Sequence, residues 1–196
     1  ASQRFGVFRR GYYTNEARVD FRREVFKGFT QRIGFRYMTF DPTFNFAYYE
    51  DPTDIPNSQL QQSFETSELI LESRYARDEL FIQSDNDRIS LGTTKWPVIT
   101  IRYTKGFKGI IDSDFDYDKL RLSLYKRIKF GPLGVGYVNL AGEYIFGTLP
   151  YPLLGLHLGN QTVIYSPVTY NLMNYGEFGS DRYATLQYQH HFEGFL

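Results

Sequence analysis

Aspartates at alternate positions in residues 112–118 imitate the start of a calcium-binding loop. They are Asp112, Asp114, Asp116 and Asp118. A calcium loop of this type needs glycine at its sixth position and a bidentate glutamate at its twelfth. Those positions are Tyr117 and Ser123. We therefore read the aspartates as an acidic loop that runs into a strand, and we predict no metal site and no cofactor.

Two adjacent histidines, His190 and His191, are the next candidates for chemistry. On a strand they point to opposite faces, so they cannot share one metal ion. A hydrolase with a histidine base is conceivable, but no nucleophile in a strained turn and no orienting carboxylate stands at a recognisable spacing. The absence of cysteine excludes thiol catalysis and disulfides. We predict that the protein is not an enzyme.

Charged side chains recur at every second position in several segments. They are Arg18, Asp20, Arg22, Glu24, Arg32, Arg36, Glu68, Glu72, Arg74, Arg102, Arg121, Arg127 and Glu143. Confined charges persist when they are paired, so a salt-bridge network inside a barrel is the first interpretation. A polar conduit, or a docking surface for a plug or loop, is the functional alternative.

Apolar residues occupy the positions between these charges. They are Val19, Phe21, Ile33, Phe35, Leu69, Leu71, Ile99, Ile101, Leu120, Leu122, Leu124, Val138, Leu140, Leu186 and Tyr188. A period of two puts the two sets on opposite faces of a sheet. Alternation alone does not say which face is inside, and a soluble barrel or sandwich would bury the apolar face. Long strands with tyrosine and phenylalanine near their ends favour a membrane barrel, in which the apolar set faces lipid and the charged set faces the lumen.

The elements that must carry these residues are predicted strands. About eight segments show the pattern, as expected for membrane-spanning strands: 4–12, 16–26, 29–40, 66–76, 89–105 with a bend at Pro97, 115–128, 134–146 and 181–192. Residues 77–88 are polar and ambiguous. A content of 18% aromatic residues with 17 glycines supports an all-β class. We predict a transmembrane antiparallel β-barrel.

Long polar or proline-rich stretches separate some of the strands. Residues 41–63 and 147–180 are predicted to be extracellular loops, and the turn at Gly131 and Pro132 is predicted to be periplasmic. The uncharged stretch 144–176 is interrupted by prolines and glycines, so it is a loop and not a membrane helix. Residues 1–13 do not resemble a signal peptide, so we expect a mature chain or a fragment. Basic and acidic residues balance at 22 each, which argues against nucleic-acid binding.

The sequence contains the motifs TKWPVITIRYTKG at 94–106, GPLG at 131–134, IFGTLPYPLL at 145–154, NLMNY at 171–175 and HHFEG at 190–194. These motifs resemble those of a Bacteroidota outer-membrane family of unknown function. Members of this family join a carboxypeptidase-regulatory-like domain to a barrel similar to the BamA-like surface-antigen superfamily. In that superfamily a late loop docks in the barrel through an Arg-Gly-aromatic tip. Here the loop carries Asn174, Tyr175 and Gly176 and has no arginine.

The resemblance implies that residues 1–196 are one segment of a larger outer-membrane barrel. It implies a non-enzymatic role in outer-membrane biogenesis or protein export, with outer-membrane lipid and other envelope proteins as partners. A passive channel for small solutes is the second expectation, and an outer-membrane hydrolase is the third.

Overall fold

The computed structural model describes residues 11–50, 54–84, 87–93, 95–157, 159–160, 169–173 and 177–192. Thirteen strands follow one another along the chain: β1 (Tyr12–Phe26), β2 (Phe29–Pro42), β3 (Tyr48–Tyr49), β4 (Leu60–Gln61), β5 (Phe64–Ala76), β6 (Glu79–Ser84), β7 (Asp87–Thr93), β8 (Val98–Gly106), β9 (Tyr117–Lys129), β10 (Val135–Phe146), β11 (Gly155–Leu156), β12 (Gly179–Ser180) and β13 (Arg182–His191). Two 3₁₀ turns, Gly131–Leu133 and Tyr151–Leu153, complete the described elements. The all-β prediction is confirmed.

The seven long strands form one antiparallel sheet in the order β1-β2-β5-β8-β9-β10-β13. Each strand pairs with the next long strand along the chain, so the sheet is a meander. β1 and β13 are its edges and do not pair with each other. The described strands therefore do not close into a barrel by themselves.

The two ends of the sheet differ in their connections. At one end, here called the loop end, residues 43–63, 107–116 and 147–181 join the strands. At the other, here called the turn end, Lys27 and Gly28 form a tight turn, Gly131–Leu133 forms a 3₁₀ turn, and residues 77–97 join β5 to β8 through the β6–β7 hairpin. Gly28 has φ of 80°, a conformation that glycine adopts without strain. The two long loops predicted from composition both lie at the loop end.

One strand prediction was wrong. Residues 89–105 are not a single bent strand, because 87–93 form β7, which pairs with β6 in a separate hairpin, while β8 enters the main sheet only at Val98. Pro97 stands between them, and proline has no backbone N–H for the ladder of the sheet. The ambiguous segment 77–88 supplies β6 and the first residues of β7. The predicted strand 4–12 lies outside the described residues except for its last two positions.

The best buried apolar cluster of the described chain lies at the loop end, and we call it the aromatic cap. Its buried members are Phe64, Tyr117 and Leu153, and its partly buried members are Tyr12, Phe40, Phe46, Tyr48, Phe115 and Leu149. Phe40 and Phe64 stack with ring centroids 4.6 Å apart. Phe46, Phe115 and Leu149 come from the three loop-end connections. The cap therefore holds all three connections against the sheet.

Candidate functional site: a charged face opposite an apolar face

The strand register assigns every predicted site residue to one of two faces. Paired residues of neighbouring strands share a face, and Arg36–Glu68 and Glu72–Arg102–Arg121–Glu143 are such aligned rows. All the predicted luminal charges lie on this side, here called the charged face. All the predicted lipid-facing residues lie on the other side, here called the apolar face, where Ile99, Leu124, Leu140 and Leu186 form an aligned row.

Several residues of the two faces have exposures opposite to those expected in a water-soluble sheet. On the apolar face Val19 is 74% exposed, Leu186 is 70% exposed and Leu122 is 50% exposed. On the charged face Glu68 is only 2% exposed and Arg32 is 8% exposed. Large apolar side chains are thus exposed while Glu68 and Arg32 are covered, although the charged residues of β1 and Arg121 are exposed as well.

A chain of ion pairs crosses four neighbouring strands on the charged face. Asp20 of β1 contacts Arg18 at 2.6 Å and Arg32 of β2 at 2.8 Å. Arg32 lies 3.9 Å from Glu72 of β5, which in turn lies 2.5 Å from Arg102 of β8. The alternating signs of these five residues offset the cost of holding each charge away from bulk water.

A second group joins the ion pairs to the aromatic cap. The Nε of Arg36 donates a hydrogen bond to Glu68 at 2.8 Å, and the hydroxyl of Tyr117 donates another to the same carboxylate. Tyr117 can cross β8 because its neighbour there is Gly106, where any Cβ would overlap the tyrosine ring. Glu68 therefore accepts hydrogen bonds from both the sheet and the cap.

Other predicted charges are placed differently. Arg74 binds Glu79 of β6 through two hydrogen bonds of 2.7 and 2.6 Å, which anchors the β6–β7 hairpin. Glu24 accepts a hydrogen bond from the Gly28 amide at 2.9 Å in the turn. Arg22, Arg121, Arg127 and Glu143 form no ion pair with any residue that the structure describes. Most charged side chains of the charged face thus form ion pairs on the first strands of the sheet, and fewer do so on β9.

Sequence reasoning missed two residues of this face. Lys119 of β9 donates to the carbonyl oxygen of Leu153 at 2.8 Å, and Tyr117 binds Glu68. Both share the parity of Arg121, so extension of the same alternation would have placed them on the charged face. Their partners, Leu153 and Glu68, are distant in sequence, so no local pattern predicts these contacts.

Two titratable groups of the loop-end connections are partly buried. Burial raises the pKa of Asp114 above its ordinary value, although the carboxylate accepts a hydrogen bond from the Glu65 amide at 2.7 Å. Burial in the aromatic cap likewise raises the pKa of Tyr48. Both groups are shielded by the folded loops.

Four of the candidates for metal or hydrolytic chemistry, Asp114, Asp116, Asp118 and His190, contact other groups of the protein. Asp116 and Asp118 both contact Lys105, at 2.6 and 3.2 Å, and Asp114 holds the Glu65 amide. His190 lies 2.8 Å from the Tyr188 hydroxyl. No group of three His, Asp or Glu side chains in the described part of the chain is arranged to hold a metal ion.

A histidine that sequence reasoning did not select lies beside a serine in the last connection. The Nε2 of His157 is 3.3 Å from the Ser180 hydroxyl oxygen. Its ring otherwise packs edge-on against Tyr170 and Tyr183. A serine hydrolase needs a third group to orient the imidazole. In the residues that the structure describes, no carboxylate bonds to this ring.

Comparison with known proteins gives one match. Residues 7–196 match the model of a family of unknown function, DUF5686, in its C-terminal domain. No curated protein and no solved structure matches the chain. The residues that the structure describes include no helix long and apolar enough to cross a membrane.

Proposed function

The chain belongs to the DUF5686 C-terminal domain family. We propose that its sheet forms part of the wall of an outer-membrane β-barrel. The apolar face contacts lipid, and the charged face lines the interior. The long connections lie on the extracellular side. The domain acts in outer-membrane biogenesis or protein export, together with other envelope proteins.

The exposure of the apolar face is the observation that supports a membrane location. Burial of one leucine, valine or phenylalanine side chain contributes about 1.5–3 kcal/mol, and the apolar face leaves Phe21, Leu120 and Leu140, among others, more than two-fifths exposed. Soluble monomers rarely expose continuous apolar surface of this extent. Lipid would cover it along every strand.

Strand length is consistent with the same proposal. A tilted strand of about 9–11 residues spans the hydrocarbon core of a bilayer. β8, the shortest strand of the main sheet, has 9 residues, and β13 has 10. Because an unpaired edge is not tolerated in lipid, further strands must cover the outer edges of β1 and β13 in the membrane.

Replacement of Leu122 by arginine tests the membrane location. An arginine on the lipid face near the bilayer midplane costs about 2–4 kcal/mol, whereas an exposed substitution in water changes stability by about 0.5 kcal/mol or less. We therefore expect Leu122→Arg to lower the free energy of unfolding from phospholipid vesicles by about 2–4 kcal/mol.

Ser123→Arg is the matched control, because Ser123 is the next residue of β9 and lies on the charged face. We expect this variant to unfold close to the unsubstituted protein. Equal stability of both variants in vesicles, or a folded monodisperse protein without detergent, would contradict the membrane proposal.

The proposed role in biogenesis or export comes from the family resemblance of the motifs and is tested separately. We expect the protein to co-purify with other envelope proteins after mild detergent extraction. A passive channel is the alternative, which the polar interior favours and the aromatic cap disfavours, because the cap covers the charged face at the loop end. Large, steady conductance in a planar bilayer without any co-purifying envelope protein would favour the channel.

A further inference from the structure

β9 differs from the strands before it in how its cations are balanced. On β1, β2, β5 and β8 most cations of the charged face have a carboxylate within 4 Å. Lys119, Arg121 and Arg127 of β9 have none among the described residues. Positive charge therefore accumulates along one strand of an otherwise paired face.

Two of these cations line a small polar cavity of about 130 Å³ on the charged face. Its charged lining consists of Arg36, Glu68, Arg102, Lys119, Arg121 and Glu143. Glu68 is already bonded to Arg36 and Tyr117, and Arg102 is bonded to Glu72 outside the cavity. Glu143 is consequently the one carboxylate of the lining left for both Lys119 and Arg121.

We propose that this cavity binds an oxyanion such as phosphate, sulfate or the phosphate group of a larger solute. Glu68 balances Arg36 and Glu72 balances Arg102, so Lys119 and Arg121 face the single carboxylate of Glu143 and one positive charge remains in excess. Guanidinium groups present planar pairs of N–H donors that match oxyanion geometry, and Arg121 uses none of its donors within the described protein. The volume is several times the roughly 30 Å³ that one water molecule occupies.

This site does not depend on the membrane proposal. Phosphate can reach the charged face whether the apolar face is covered by lipid or by protein. Saturable phosphate binding together with equal stability of Leu122→Arg and Ser123→Arg would support the anion site and contradict the membrane barrel. A loss of stability in Leu122→Arg alone, without phosphate binding, would support the barrel and contradict the site.

Calorimetric titration of the purified full chain with inorganic phosphate, at constant ionic strength, tests the proposal. We expect saturable binding, and competition by sulfate but not by chloride. Arg121→Gln should raise the Kd about tenfold to a hundredfold, the loss expected for a hydrogen bond to a charged group. Glu143→Gln removes a competing negative charge, so it should lower the Kd several-fold.

The control is Arg22→Gln, which removes the same charge from the same face on β1, away from the cavity. Its Kd should stay unchanged. The Kd for phosphate should rise in Arg121→Gln and fall in Glu143→Gln. This contrast separates a binding role from a structural one, because a merely structural role for the cavity would not tighten binding in Glu143→Gln. Absence of saturable phosphate binding, or an equal loss in Arg22→Gln and Arg121→Gln, would overturn the proposal.

Discussion

Replacement of Glu68 by alanine is expected to lower the free energy of unfolding by about 3–5 kcal/mol, the range for breaking a buried ion pair. The Glu68 side chain is 2% exposed and accepts hydrogen bonds from Arg36 and Tyr117. Its removal leaves a guanidinium and a buried hydroxyl without their acceptor. Denaturant titration followed through Trp96, the single tryptophan, measures the change.

Glu50→Ala serves as the control for this prediction. Glu50 lies 4.0 Å from Lys108, and both side chains are more than half exposed. Such surface pairs contribute about 0–1 kcal/mol. The double replacement of Arg36 and Glu68 by methionine should cost less than Glu68→Ala alone, because no unpaired charge remains. If Glu68→Ala were as mild as Glu50→Ala, the covered ion pair would have no structural role.

The second large effect is expected at the centre of the aromatic cap. Phe64 is 1% exposed and lies within ring contact of Tyr12, Phe40, Phe46, Tyr48 and Phe115. Phe64→Ala should therefore cost about 3–5 kcal/mol, as buried phenylalanine truncations do. It should also release the connection 43–63, so limited proteolysis should cleave that segment faster than in the unsubstituted protein.

Phe178→Ala is the matched control, because Phe178 lies in another loop-end connection and is 54% exposed. It should change stability by about 0.5 kcal/mol or less. Unchanged cleavage of 43–63 in Phe64→Ala would show that the cap does not hold this connection.

Alternation in the sequence predicted most strands of the main sheet and the division of their residues between two faces. β9 illustrates the reason: once Leu120 and Leu122 share a face, Arg121 must lie on the other, whatever the rest of the fold does. The same local rule failed at 89–105, where a continuous alternation spans two strands of different sheets. Proline and glycine near the boundary between the two strands allow the chain to change direction. The position of β7 then depends on its pairing with β6.

The order of residues along each strand is enough to specify a sheet with one apolar and one charged face, because side-chain direction along a strand has a period of two. The folded sheet determines which charges meet, because pairing depends on the register between strands distant in sequence, as for Arg36 and Glu68. It likewise brought Tyr117 past Gly106 to the same carboxylate and folded three connections into the aromatic cap. Cations without a carboxylate partner accumulate on β9. This accumulation can be recognised only in the folded sheet, because it depends on which side chains lie on the neighbouring strands.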